Sequence, residues 1–169
     1  MRARQVLIIG AFLLVAVLLQ TTLLNRLPIP GASPDLVLVT VIALAFPYGP
    51  LPGAMTGFAA GMLIDLAPPG NGPVGISALI LTAVGLAAGR YENPRDRSVP
   101  VTLGVVAVAA SAAVVLSATI EALFGSPRIA WDQIASMCLL SALYAVLMAP
   151  GVLGFVGWVV RKLTPEALL

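Results

Sequence analysis

The composition is that of a membrane protein. The 169 residues are 60% hydrophobic and only 9% charged, with a net charge of +2, whereas about 25% of residues are charged in soluble globular domains. The basic residues lie in short clusters between apolar runs, which is a pattern of membrane topology and excludes a nucleic-acid-binding surface. The chain has no histidine and one cysteine, Cys138. An intramolecular disulfide is therefore excluded, and we expect no metal site and no cofactor.

Apolar runs separated by proline- and glycine-rich breaks predict six helices. About 20 residues cross a hydrocarbon core of about 30 Å. Residues 1–24 begin with Arg2 and Arg4, like a signal peptide, but their apolar stretch is longer than the usual h-region of about 7–15 residues. We expect a retained first helix there. The predicted helices cover residues 5–24, 35–47, 51–66, 74–90, 99–124 and 133–161.

The predicted fold is a compact all-α bundle of about six transmembrane helices, forming a single integral membrane domain over residues 1–169. Its second and third helices are short and are joined by the Pro/Gly turn at 46–53. A single kinked span over 35–65 is the alternative. It would place Arg90, Arg95 and Arg97 on the side opposite Arg2 and Arg4, so the positive-inside rule favours the two-helix hairpin.

The basic residues also predict the orientation of the chain. With six spans, both termini are cytoplasmic and only Arg26 and Arg128 lie outside. The inner set is Arg2, Arg4, Arg90, Arg95, Arg97, Arg161 and Lys162. The predicted location is therefore the bacterial cell (inner, plasma) membrane, with several passes through it.

Small residues recur at every fourth position of the predicted third helix. Gly53, Gly57 and Gly61 lie near one helix face and allow another backbone to approach closely. They predict either helix packing inside the bundle or a partner interface. Gly85 and Gly89 repeat the same spacing on the fourth helix.

Three acidic residues are expected near the outer ends of the helices. Asp35, Asp65 and Glu121 are costly in lipid unless they reach water or a partner. They are predicted to form a polar outer rim. The simpler interpretation is that each reaches water, and the alternative is an ion-paired rim with Arg26 and Arg128 that docks another membrane protein.

We expect no catalytic residue and no enzymatic activity. The helices offer serine and threonine hydroxyls, but a nucleophile needs a base, and the sequence has no histidine and no lysine within the apolar runs. The hydroxyls are expected to bond their own helices.

Several short motifs, taken in their order along the chain, resemble those of a known protein family. They are Leu19-Gln20-Thr21-Thr22-Leu23, then Pro34-Asp35-Leu36-Val37-Leu38, then Gly49 with Gly53, Gly57 and Gly61, and finally Asp65-Leu66. This order resembles the MreD family of rod shape-determining membrane proteins and spans about the first half of the chain. The resemblance implies a non-enzymatic scaffold of the cell-elongation (elongasome) machinery that serves peptidoglycan synthesis and rod cell shape.

The resemblance also implies partners and a fold. The partners would be MreC and, through it, the RodA glycosyltransferase and a class B penicillin-binding transpeptidase, beside membrane lipids. The cytoplasmic loops leave little surface for the actin-like MreB, and direct contact with it stays open. The implied fold is similar to the substrate-binding subunits of energy-coupling-factor transporters.

Two other classes of function are alternatives to a scaffold. The first is a small-molecule- or lipid-binding membrane subunit of an energy-coupling-factor-type transporter, in which Asn71, Asp35, Asp65 and Glu121 would be the polar groups of an outer pocket. The second is a self-associating channel or exporter. It would need a polar stripe at helical spacing, which the sequence does not show.

Overall fold

A computed structural model describes residues 3–22, 34–67, 74–90, 98–123 and 133–163. Within these ranges the chain forms six α-helices and no strand. The helices are α1 Ala3–Thr22, α2 Leu36–Tyr48, α3 Pro50–Leu66, α4 Ile76–Gly89, α5 Val99–Leu123 and α6 Ile134–Leu163. The predicted all-α bundle is therefore confirmed in its helical architecture.

Helix α2 forms the centre of the bundle. Every residue from Val37 to Phe46 is buried, and α2 contacts each of the other five helices. A helix that is apolar on all sides has no face suited to water, so it is buried wherever the chain allows. With 13 residues, α2 is about 20 Å long.

The turn between α2 and α3 is a single glycine followed by a proline. Gly49 has a φ of 87°, a conformation that glycine adopts at little cost. Pro50 then occupies the first position of α3, where its missing N–H is not needed. Ala45 lies beside Gly53, and Leu38 and Ile64 line one cavity. The two short helices therefore form an antiparallel hairpin.

Helices α5 and α6 form a second, longer hairpin. They have 25 and 30 residues and are both long and apolar enough to cross a membrane. They pack on each other, while α6 also contacts α2 and α5 contacts α4. Most of their surface remains outside the core, unlike the core helix of a soluble protein. Helix α6 continues through Pro150.

Large apolar side chains cover the outside of the bundle. Examples are Leu7 on α1, Phe58 on α3, Leu79 on α4, Val108 on α5 and Leu139 on α6, each more than half exposed. Monomeric soluble proteins rarely expose apolar patches larger than a few hundred Å². The apolar exterior is therefore that expected of a surface in contact with lipid.

Candidate functional site

The polar residues with structural roles gather at one end of the bundle, called the Asp35 end below. It combines the C-terminal ends of α1, α3 and α5 with the N-terminal ends of α2, α4 and α6, since one cavity is lined by Gln20, Asp35, Ile64, Ser77, Ser117 and Met137. Asp65 and Glu121 lie on the same ends of α3 and α5. All three predicted rim acids thus belong to one end.

Asp35 begins the central helix. Its Oδ1 accepts the Leu38 N–H at 2.9 Å, so the carboxylate caps α2 and satisfies a donor that has no partner within the helix. Gln20 on α1 completes the arrangement. Its Oε1 accepts the Val37 N–H at 2.8 Å, next to the Leu38 N–H that Asp35 accepts, and both side chains line the same cavity. This Gln20–Asp35 pair joins α1 to the start of α2.

Asp65 caps the N-terminal end of another helix, α4. Its Oδ2 accepts the backbone N–H groups of Gly75 at 2.7 Å and Ala78 at 3.4 Å. Gly75 precedes α4 and has no side chain with which to cap it. The carboxylate from the end of α3 therefore supplies that cap, and its negative charge favours the N-terminus of α4.

Removing the Asp65 carboxylate should loosen the hairpin of α3 and α4. We expect Asp65→Ala to lower the free energy of unfolding by about 1–3 kcal/mol, because buried N–H donors lose their acceptor. Thermal unfolding in mild detergent measures the change. Glu121→Ala is the matched control, since Glu121 lies exposed at the same end and should change stability by less than about 0.5 kcal/mol. Equal effects of the two variants would contradict the capping role.

The ion-paired rim stays a prediction. Glu121 is exposed, whereas Asp35 and Asp65 are partly buried and bond backbone donors. Arg26, Arg128 and Asn71 lie outside the described residues. In the structure, two of the three acids hold helix ends in place.

The predicted glycine face lies against α4. A Cβ atom added at Gly53 would meet the Gly85 carbonyl oxygen, one at Gly57 would meet that of Leu81, and one at Gly61 would meet the backbone of Ala78. Gly85 faces Gly53 in return, and Gly89 faces Gly49 and Pro50. The two helices are therefore in backbone contact along their length, so the face is occupied by a helix of the same chain.

A cavity of about 410 Å³ lies at the Asp35 end, and all six helices line it. Its polar members are Gln20, Asp35, Ser77, Ser117 and Ser141, and the remaining lining is mostly aliphatic. The rim residues Asp65 and Glu121 do not line it. A mixed lining of this kind suits a ligand with both polar and apolar parts.

The hydroxyl side chains bond mainly to their own helices, as predicted. Thr40 donates to the Leu36 carbonyl oxygen at 2.8 Å, Ser111 to Ala107 at 3.0 Å and Ser117 to Val114 at 2.9 Å. Cys138 Sγ is 3.7 Å from the Ser111 carbonyl oxygen. Over the described ranges, no three or more Cys, Asp or Glu side chains are grouped so that they could hold a metal ion.

Sequence reasoning missed the serines of the cavity and the tie made by Gln20. Ser77, Ser117 and Ser141 come from three different helices, so no spacing along the sequence relates them. Gln20 offered one signal, because it is the only amide side chain in the apolar run 6–24. A polar group at the end of such a run often bonds a neighbouring helix end.

Comparison with known proteins adds no relative. No protein-family model matches the sequence, and no curated protein or solved structure matches it either.

Proposed function

We propose that this chain is a membrane scaffold of the MreD type. It binds the membrane-embedded part of MreC, helps to place RodA and a class B penicillin-binding transpeptidase, and thereby supports peptidoglycan synthesis along the cell wall and rod shape. It lies in the bacterial cell membrane with six spans and with both termini in the cytoplasm. It has no enzymatic activity of its own.

The observation that carries this proposal concerns the residues on which the MreD resemblance rests. Several of them share one role, because they hold neighbouring helices of the bundle together. Gln20 and Asp35 join α1 to α2. Gly53, Gly57 and Gly61 bring α3 onto α4. Asp65 caps α4 from the end of α3. Motifs scattered over the sequence thus act together in one four-helix unit, which favours a common fold over a set of chance matches.

The same geometry supports the proposed orientation. The Asp35 end contains the acids, while Arg90, Arg161 and Lys162 lie at the C-terminal ends of α4 and α6, at the opposite end of the bundle. Basic residues concentrate on the cytoplasmic side of a membrane protein. This distribution supports a Tyr48-to-Gly49 turn that faces the cytoplasm and an Asp35 end that faces outwards.

The partner contact is expected on the lipid-exposed surface. The glycine face is filled by α4, so a partner helix could reach it only by separating α3 from α4. By contrast, a Cβ atom added at exposed Gly10 on α1 meets nothing within 4 Å, and the same holds for four exposed or half-exposed glycines of α5 and α6. These are Gly104 on α5 and Gly151, Gly154 and Gly157 on α6.

Co-purification tests the proposal. The tagged chain is expressed with MreC, RodA and the class B transpeptidase of the same bacterium, extracted in mild detergent and separated by size. We expect MreC to elute with it at a fixed ratio. Recovery of the chain alone under every extraction condition would contradict the scaffold.

Leucine substitutions at the open glycines make the test specific. Gly104→Leu, Gly151→Leu, Gly154→Leu and Gly157→Leu place bulk on the outside of the bundle without a clash inside it. A variant that keeps the monomer's thermal midpoint but loses MreC identifies the contact surface. Gly57→Leu is the comparison variant, because it should lose MreC through loss of the fold.

A further inference from the structure

The cavity at the Asp35 end has the size of a ligand site. Its volume of about 410 Å³ lies within the range of about 300–1,000 Å³ found for small-molecule pockets. Residues of α1 to α6 all contribute to its walls. We propose that it binds a small, non-anionic amphiphile whose polar end carries hydroxyl or amine donors.

Asp35 provides the strongest hydrogen-bond acceptor in the polar part of the lining. A carboxylate has about four acceptor positions and no donor. Asp35 accepts the Leu38 N–H through Oδ1, so other lone pairs of the carboxylate can accept a donor from a ligand. The oxygens of Ser117 and Ser141 add acceptor capacity from α5 and α6. A hydroxyl or amine group is the complementary ligand chemistry.

The apolar part of the lining favours a ligand that also has a hydrocarbon part. Leu38, Ile64, Ile80 and Leu81 line the cavity from α2, α3 and α4, and Val114 lines it from α5. Hydrocarbon packs against such walls through many van der Waals contacts. A fully polar molecule would leave these walls unused, so the ligand should carry an acyl or other hydrocarbon part.

The charge of the lining disfavours one class of amphiphile. Among the described residues that line the cavity, Asp35 is the acidic one. A phosphate or carboxylate group beside it would bring two like charges together, which is unfavourable in surroundings of low dielectric constant. This inference is independent of the scaffold function, since a chain that fails to bind MreC could still bind the amphiphile.

Three probes with the same hydrocarbon chain test the inference. The full chain is reconstituted in nanodiscs of dioleoylphosphatidylcholine, and its thermal midpoint is measured with monolauroylglycerol, dodecylamine or dodecanoate. We expect the first two to raise the midpoint by about 3–6 °C at about ten times their dissociation constants, and dodecanoate to have no effect. No shift with any probe, or an equal shift with dodecanoate, would overturn the inference.

A matched pair of variants locates the binding. Ala113 lines the cavity, whereas its neighbour Ala112 is exposed on α5. Ala113→Phe should fill the cavity and abolish the shift, and Ala112→Phe should keep it. The same loss in both variants would place the probe outside the cavity and overturn the inference.

Asp35→Asn distinguishes binding from stability. Its baseline midpoint is expected to fall because α2 loses a charged cap, so the readout is the difference between dodecylamine and dodecanoate shifts in this variant. That difference should shrink if the carboxylate contacts the ligand, and an unchanged difference would contradict the contact. Native mass spectrometry of the freshly purified chain then identifies the bound amphiphile by mass. A non-anionic lipid or a water-soluble alcohol or amine supports the inference, and an anionic phospholipid contradicts it.

Discussion

A single methyl group at Gly57 is expected to destabilise the whole bundle. In Gly57→Ala, the new Cβ atom would meet the carbonyl oxygen of Leu81 and lie 2.9 Å from the Thr82 nitrogen. Both are backbone atoms that cannot turn aside, so α3 and α4 must separate. Overpacking of a core costs about 1–3 kcal/mol, and each kcal/mol corresponds to about 2–4 °C in thermal midpoint for a chain of this size. Thermal unfolding in mild detergent measures the loss.

Gly104→Ala is the matched control, and its effect should have the opposite sign. Gly104 also lies inside a helix, but a Cβ atom there meets nothing within 4 Å. Alanine should then raise the free energy of unfolding by about 0.5–1 kcal/mol relative to glycine, because an alanine residue loses less backbone freedom on folding. A Gly57→Ala protein as stable as Gly104→Ala would show that α3 and α4 are not in close contact.

Removing both Gln20 and Asp35 should cost less than the sum of the two single losses. Asp35→Ala removes the cap of α2, which is worth about 0.5–2 kcal/mol. Gln20→Ala leaves the Val37 N–H without its acceptor, at about 1–3 kcal/mol. Because the two side chains accept neighbouring N–H groups at the start of α2, either loss weakens the other contact. A double-mutant cycle should therefore give a coupling of about 0.5–3 kcal/mol.

Thr22→Ala serves as the control for that cycle. Thr22 is exposed on the same helix as Gln20, and its hydroxyl donates to the Leu18 carbonyl oxygen of that helix. Its loss should neither destabilise the bundle by more than about 0.5 kcal/mol nor couple to Asp35→Ala. Additive effects of Gln20→Ala and Asp35→Ala would rule out the proposed tie between α1 and α2.

Local patterns were sufficient to predict the helices and the hairpin. Pro50 and Gly49 break the run between α2 and α3 because one lacks a donor and the other adopts a positive φ. The glycines of α3 were also identified by their spacing. Their partner was not, because the four-residue spacing is the same whether α4 or another protein covers the face.

Contacts between residues of different helices could not be predicted from the sequence. Asp65 was expected to reach water or an ion pair, but it accepts N–H groups ten and thirteen residues further along the chain. No local rule connects an acid at the end of one helix with the start of the next. The cavity is a stronger case, since its lining comes from six helices and no single helix carries a polar stripe. Sequence reasoning could therefore name Asp35 but not its surroundings.

Helix α2 reaches its final surroundings only after α6 has been synthesised. At about 20 Å it is shorter than the hydrocarbon core of about 30 Å, and α6 covers part of it. In a nascent chain that ends before α6, the apolar side chains of α2 and the polar N-terminal end of α2 are not yet covered by α6. During biogenesis, the surroundings of the second helix are thus completed by the sixth, so loss of the last fifth of the chain, from α6 onwards, is a defect at the centre of the bundle.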